Sequence, residues 1–86
     1  IPLCHNIKIE NIDINIKKNK INSSLIVTAT VSANAKTGVE MESLTAVSIA
    51  CLTIYDMCKS IDKKIIISDI KLEEKTGGKS DFINQK

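Results

Sequence analysis

The feature that most constrains this chain is a stretch of twenty residues, 40–59, that contains neither proline nor glycine and is rich in Ala, Leu, Met and Glu. Such a segment predicts one long helix. Glu40 and Glu42 open it and Lys59 closes it, which suits the helix dipole at both ends. Residues 46–52 are apolar nearly all the way round, so we expect the helix to be buried on more than one side. A single sheet could not provide that cover.

The segments on either side of the helix alternate with the period of β-strands. Residues 7–17 carry isoleucine at every second position, with a one-residue slip at Asn11 that predicts a bulge. A polar turn at 17–20 and renewed alternation over 25–31 complete a hairpin. Residues 65–73 alternate again and predict a last strand, with a phase slip between Ile67 and Ile70. The order β-β-α-β predicts an α+β two-layer sandwich, an antiparallel sheet with the helix on one face.

Size and composition exclude several classes of function. The 86 residues suffice for one domain, 1–86, and its opening without a start methionine suggests a fragment or processed chain. Net charge is +2 with dispersed lysines, and the chain has one Phe, one Tyr and no Trp, so we expect no nucleic-acid partner. No apolar run appears long enough to cross a membrane, which predicts a soluble protein. Three cysteines without a Cys-x-x-Cys pair indicate a reducing compartment.

A polar stripe on the helix is the candidate site. On a projection of about 100° per residue, a sector of roughly 120° holds five polar residues: Glu42, Thr45, Thr53, Asp56 and Lys59. The stripe is either a solvent-facing edge or a functional site. Asp56 and Lys59 are spaced i,i+3, so the lysine ammonium would favour the charged form of the Asp56 carboxylate. The apolar residues on both sides of the pair favour the functional interpretation over the solvent-facing one.

Three further features are weaker. Glu42 and Asp56 lie about 21 Å apart along one helix, so a small ligand that uses both requires a second subunit. His5 is the only histidine, and a lone histidine at the start of a strand is more often structural than catalytic. His5 and Cys4 alone cannot complete a metal site. The glycine-lysine segment 77–80 resembles a phosphate loop, but Glu73 stands where that motif requires glycine. It remains a candidate to close over an anion with Lys75 and Lys79.

Four blocks occur in an order that closely resembles the cyclic pyranopterin monophosphate synthase family, also called molybdenum cofactor biosynthesis protein C: Pro2-Leu3-Cys4-His5, Lys36-Thr37-Gly38-Val39-Glu40-Met41-Glu42, Leu52-Thr53-Ile54-Tyr55-Asp56-Met57-Cys58-Lys59 and Lys75-Thr76-Gly77-Gly78-Lys79-Ser80. The resemblance implies a lyase that converts a cyclised dihydroguanosine triphosphate into cyclic pyranopterin monophosphate and releases diphosphate. It implies that Asp56 is the catalytic acid and Lys59 its partner, and that the remaining site residues contact substrate: Leu3, Cys4, His5, Glu40, Met41, Glu42 and Lys75.

The resemblance also implies a ferredoxin-like fold, a cytoplasmic location and a homo-oligomer, a hexamer built from dimers with sites between subunits. No protein metal site or cofactor is expected, although magnesium could bind through the substrate phosphates. Asn6 and Ala35 depart from the family's usual Pro and Gly. The chain is expected to be the carboxy-terminal part of the synthase domain, without its amino-terminal portion. The alternative is a non-catalytic ferredoxin-like module that binds an anionic metabolite or a partner.

Overall fold

The computed structural model describes residues 9–33, 38–75 and 82–83. Two strands, β1 (Ile9–Asn19) and β2 (Ser24–Ala33), precede one helix, α1 (Glu40–Cys58). Two short strands follow, β3 (Glu74–Lys75) and β4 (Phe82–Ile83), which pair with each other as a separate antiparallel sheet. The antiparallel hairpin followed by a packed helix confirms the predicted α+β arrangement.

The antiparallel pairing of β1 and β2 extends from Ile9↔Ala33 to Asn19↔Ser24. Its register shifts between Ile9 and Asn11, which confirms the predicted bulge at Asn11. The turn occupies residues 20–23, a few positions later than predicted, and the Asn19 side-chain oxygen accepts a hydrogen bond from the Ile21 amide (3.0 Å). Ser23 has a φ of 53°, the left-handed conformation by which this turn reverses the chain.

The two faces of the hairpin differ in polarity. Ile12, Ile14 and Ile16 lie opposite three small or β-branched residues of β2, which share their face: Val31, Ala29 and Val27. Those three β2 residues are half-buried, and α1 contacts β2. The three isoleucines of β1 remain 54%, 43% and 52% exposed. We call Ile12, Ile14 and Ile16 the open hairpin face, because α1 covers the β2 side of the same surface and leaves them uncovered.

Helix α1 begins and ends within one residue of its predicted limits. Val39 precedes the first turn, whose acidic residues Glu40 and Glu42 suit the positive end of the helix dipole. At the other end the Lys59 amide donates to the Tyr55 carbonyl (2.9 Å). Four hydroxyl side chains donate to the carbonyl four residues earlier, at 2.6–2.8 Å: Ser43, Thr45, Ser48 and Thr53.

The predicted strand at 65–73 is wrong as a paired strand. Residues 64–73 have no regular secondary structure, and the backbone of 65–71 makes no hydrogen bond to any other described residue. Within the segment Ile65 and Ile67 are half-buried whereas Ile66 is exposed, so its strand-like alternation persists. Asp69 has a φ of 56° at the place of the predicted phase slip. The sequence therefore has a strand pattern here, and no described edge pairs with residues 65–71.

The degree of burial departs from expectation. No residue in the described part of the chain is fully buried, and α1 exposes Ile49 and Leu52 on its outer side. The prediction that α1 is buried on more than one side is therefore wrong for the single chain. Helix α1 is also long and apolar enough to cross a membrane by length and composition, contrary to the prediction, although core helices of soluble proteins pass the same test.

Candidate functional site

The last turn of α1 holds an ion pair between two predicted catalytic residues. The Lys59 ammonium lies 2.8 Å from Asp56 Oδ1, as their i,i+3 spacing predicts. The pair is open to solvent, with 57% of the Lys59 side chain and 73% of the Asp56 side chain exposed. A solute could therefore reach both groups from the outer side of the helix.

This pair contributes little to the stability of the fold. Exposed i,i+3 pairs stabilise a helix by about 0.2–0.5 kcal/mol, and solvent screens them further. Asp56 also lies in the last turn of α1, where the negative end of the helix dipole disfavours a carboxylate by about 0.3–1 kcal/mol. The two effects nearly cancel. Stability therefore does not explain why an acid stands at this position.

The predicted polar stripe is exposed at its Lys59 end, whereas Glu42 and Thr45 are half-buried. Thr53 and Asp56 are exposed, but so are three apolar residues within or beside the same sector: Met41, Ile49 and Leu52. The Thr45 and Thr53 hydroxyls donate to backbone carbonyls of their own helix. The outer side of α1 is thus a mixed surface, with charge concentrated at its two ends. The helical projection contained this signal, because these apolar residues fall between the polar ones.

The other predicted substrate-binding residues of α1 lie at its opposite end. Glu40, Met41 and Glu42 form the first turn, about 21 Å from Asp56 by helical rise. Glu40 and Glu42 are half-buried and Met41 is exposed. One chain does not bring the two ends of the helix to a common small ligand. Any shared site requires groups from elsewhere.

The four remaining predicted site residues lie at the two ends of the chain. The backbone of Lys75 lies in β3 and pairs with Phe82. Leu3, Cys4 and His5 lie outside the described residues. Of the nine predicted site residues, the structure therefore brings together the catalytic pair at one end of α1 and three neighbours at the other.

Metal ligands and concave surfaces do not add to this site. Within the described ranges, no group of three or more His, Cys, Asp or Glu side chains is placed to hold a metal ion. A shallow, open concavity lies at the hairpin turn, between Lys18, Lys20 and Leu25. None of its lining residues belongs to the predicted site, and flexible surface lysines do not by themselves form an anion site. Among the described residues, Asp56 and Lys59 offer a substrate an exposed carboxylate beside an ammonium group.

The chain is similar to a defined set of known proteins. A model of the MoaC family matches residues 1–78. Three proteins named cyclic pyranopterin monophosphate synthase are similar to it. That of Clostridium acetobutylicum is 59% identical over 80 residues, which is 93% of this chain and 50% of the relative. The protein of Peptoclostridium acidaminophilum is 55% identical, with the same coverage. The protein of Lysinibacillus sphaericus is 52% identical over 88 residues, covering 100% of this chain and 55% of the relative. The chain thus spans about half the length of the curated relatives it matches.

Proposed function

Because this chain belongs to the MoaC family, we propose that it carries the catalytic pair of a cyclic pyranopterin monophosphate synthase. The substrate is a cyclised dihydroguanosine triphosphate, the product is cyclic pyranopterin monophosphate, and diphosphate leaves. The observation that carries the proposal is the Asp56–Lys59 ion pair, which is open to a substrate and gives the helix little stability.

The reaction has two chemical demands that this pair and its surroundings can meet. Rearrangement of a purine-derived ring into a pyranopterin needs repeated proton transfers, and a carboxyl group next to an ammonium can give and take protons in turn. To form a cyclic monophosphate from a triphosphate, a substrate hydroxyl oxygen bonds to the α-phosphorus. The bond between the α-phosphorus and the departing diphosphate breaks. The departing diphosphate accumulates negative charge, so positive side chains must lie beside it.

Substrate contacts beyond the pair are assigned by the family resemblance. Leu3, Cys4 and His5 would contact the substrate, and Lys75 would face the phosphates. Glu40, Met41 and Glu42 would contact substrate from a neighbouring subunit, because they stand about 21 Å from Asp56 in their own helix. This arrangement requires a homo-oligomer, for which we propose a hexamer built from dimers. Magnesium would bind through the substrate phosphates rather than through a protein cage.

We further propose that the protein works in the cytoplasm and that α1 is a core helix of the complete assembly. The apolar length of α1 would then be covered by protein rather than lipid.

An exchange chimaera tests the function. In the C. acetobutylicum relative, the matched 80 residues are replaced by those of this chain, so that the complete family domain is present. We expect the purified chimaera to release diphosphate from the cyclised dihydroguanosine triphosphate and to form the cyclic product. Substrate binding without diphosphate release would instead favour a non-catalytic module that binds an anionic metabolite. The unmodified relative, assayed in parallel, controls for substrate quality.

A further inference from the structure

We propose that Asn22, in the turn of the β1–β2 hairpin, is a site of spontaneous deamidation, at which its side-chain amide becomes a carboxylate through a cyclic imide with the Ser23 backbone. The Ser24 hydroxyl promotes this reaction, because it donates a hydrogen bond to the Asn22 amide oxygen, Oδ1 (2.6 Å). Water is the only co-reactant. The proposal rests on the turn alone and does not depend on the catalytic roles of Asp56 and Lys59.

The reaction uses atoms that are already neighbours in the chain. The Ser23 backbone nitrogen loses its proton to solvent base and bonds to Cγ of Asn22, which makes the reaction intramolecular. The bond between Cγ and Nδ2 then breaks, and the amide nitrogen takes up a proton and leaves as ammonia. Water opens the resulting imide at either carbonyl and leaves aspartate or isoaspartate at position 22. Asparagine and water thus give an acid and ammonia, with no change of oxidation state.

The Ser24 hydroxyl is placed to lower the barrier to ring closure. As the nitrogen attacks, negative charge develops on Oδ1 of Asn22, and a donor already directed at that oxygen stabilises the charge. The distance of 2.6 Å is at the short end for a hydroxyl donor. Among the described residues, the Ser23 nitrogen has no hydrogen bond that the attack would have to break. The turn thus leaves the nucleophile accessible and the electrophile polarised.

The other described asparagines lack this combination. Asn11, Asn15 and Asn19 lie in β1, where pairing with β2 holds the backbone extended. A long or β-branched residue follows each of them, and its side chain crowds the backbone nitrogen. Asn22 lies in the turn instead, and both Asn22 and Ser23 are exposed. The short serine side chain leaves more room at the nitrogen, so we expect modification here first.

The modification would alter both the charge and the shape of the turn. Lys17, Lys18 and Lys20 lie at this end of the hairpin and are exposed, and residues 14–39 contain no acidic side chain. The new carboxylate would lower the positive charge of this surface. Isoaspartate also adds a methylene group to the backbone, which the turn cannot absorb without changing its dihedral angles. Protein that ages at Asn22 should therefore have a less positive and less stable hairpin turn.

The test is incubation of the exchange chimaera in mildly alkaline buffer, followed by peptide mass spectrometry that resolves each asparagine and separates isoaspartate from aspartate. We expect Asn22 to convert at least about tenfold faster than Asn19. Asn19 is the matched comparison, because its amide oxygen also accepts a hydrogen bond, from the Ile21 amide (3.0 Å), whereas its backbone is paired. Isoaspartate must form along with aspartate, since direct hydrolysis of the side chain gives aspartate alone.

Two substitutions in β2 test the role of the Ser24 hydroxyl. Ser24→Ala should slow the conversion of Asn22 by about threefold or more, because the donor is lost. Ser32→Ala makes the same change at an exposed position away from the turn, and it should leave the rate within about twofold of the parent. If far-UV circular dichroism shows that Ser24→Ala disturbs the fold, Ser24→Thr and Ser24→Val replace it. Their side chains have nearly the same shape and only threonine keeps the donor, so its rate should be the higher.

The proposal is overturned if Asn22 converts no faster than Asn19, or if aspartate forms without isoaspartate. Equal rates for Ser24→Ala and Ser32→Ala, or for the threonine and valine variants where these are used, overturn the role of the hydroxyl. All of these measurements are independent of synthase activity.

Discussion

Replacing Asp56 by asparagine separates stability from catalysis. The ion pair with Lys59 is mostly exposed, so its loss costs about 0.2–0.5 kcal/mol. Removing a carboxylate from the last turn of α1 recovers about 0.3–1 kcal/mol through the helix dipole. The free energy of unfolding should therefore change by between about −0.2 and about +0.8 kcal/mol, from a slight loss to a modest gain of stability.

The effect on turnover should be much larger. An asparagine keeps the shape of the side chain but cannot accept and return a proton, and positioned acid–base groups contribute roughly 100- to 10,000-fold to a rate. We expect a loss of that size in diphosphate release by the exchange chimaera. Urea unfolding followed by circular dichroism measures stability in the same preparation.

The control is Asp62→Asn, which removes the same charge six residues further on. The Asp62 side chain accepts a hydrogen bond from the Lys64 amide (2.8 Å), which asparagine can preserve. This variant should keep nearly full activity. Our reasoning is refuted if Asp56→Asn retains more than about a tenth of the parent rate, or if it loses activity only in proportion to lost stability.

Three further predictions follow from named residues. Lys59→Ala should severely impair turnover, and adding Asp56→Asn should cost little more, because groups that act as a unit are non-additive; simple additivity would argue against a shared step. If Glu42→Gln is inactive by itself, co-expressing it with Asp56→Asn should restore activity in mixed oligomers, whereas inactive mixed oligomers would contradict a site shared between subunits. Ser23→Gly should stabilise the hairpin turn by up to about 1 kcal/mol, because glycine adopts a φ of 53° without strain. Ser24→Gly, within β2, should destabilise it, and thermal unfolding compares the two.

Local patterns predicted the elements that depend on local forces. The composition of residues 40–59 predicted the limits of α1 to within a residue, and the slip in alternation located the bulge at Asn11. The hairpin followed from two amphipathic strands of matching length. The turn was misplaced because its lysines and asparagine looked like a loop, although Lys17, Lys18 and Asn19 continue the ladder. A polar composition does not prevent pairing at the end of a hairpin.

The failures concern interactions that the described residues do not supply among themselves. A strand forms only where an edge accepts its hydrogen bonds, and no described edge pairs with residues 65–71. Burial on several sides likewise needs neighbours, so α1 has the composition of a core helix with the exposure of a surface helix. The same distinction between local and distant interactions applies to the candidate site. The spacing of Asp56 and Lys59 predicted their ion pair, whereas its relation to Glu42 depends on chains that a sequence does not position.

The hydroxyl groups of α1 change how its surface should be understood. Ser43, Thr45, Ser48 and Thr53 each direct their proton to a carbonyl of the preceding turn, so these protons are already committed inside the helix. The outward surface of these residues consists mainly of methyl and methylene groups and the hydroxyl oxygen. The backbone of another element that packs closely against these positions would therefore contact a nearly non-polar surface. In an assembled protein, these positions should tolerate exchange with alanine far better than their polar residue names suggest.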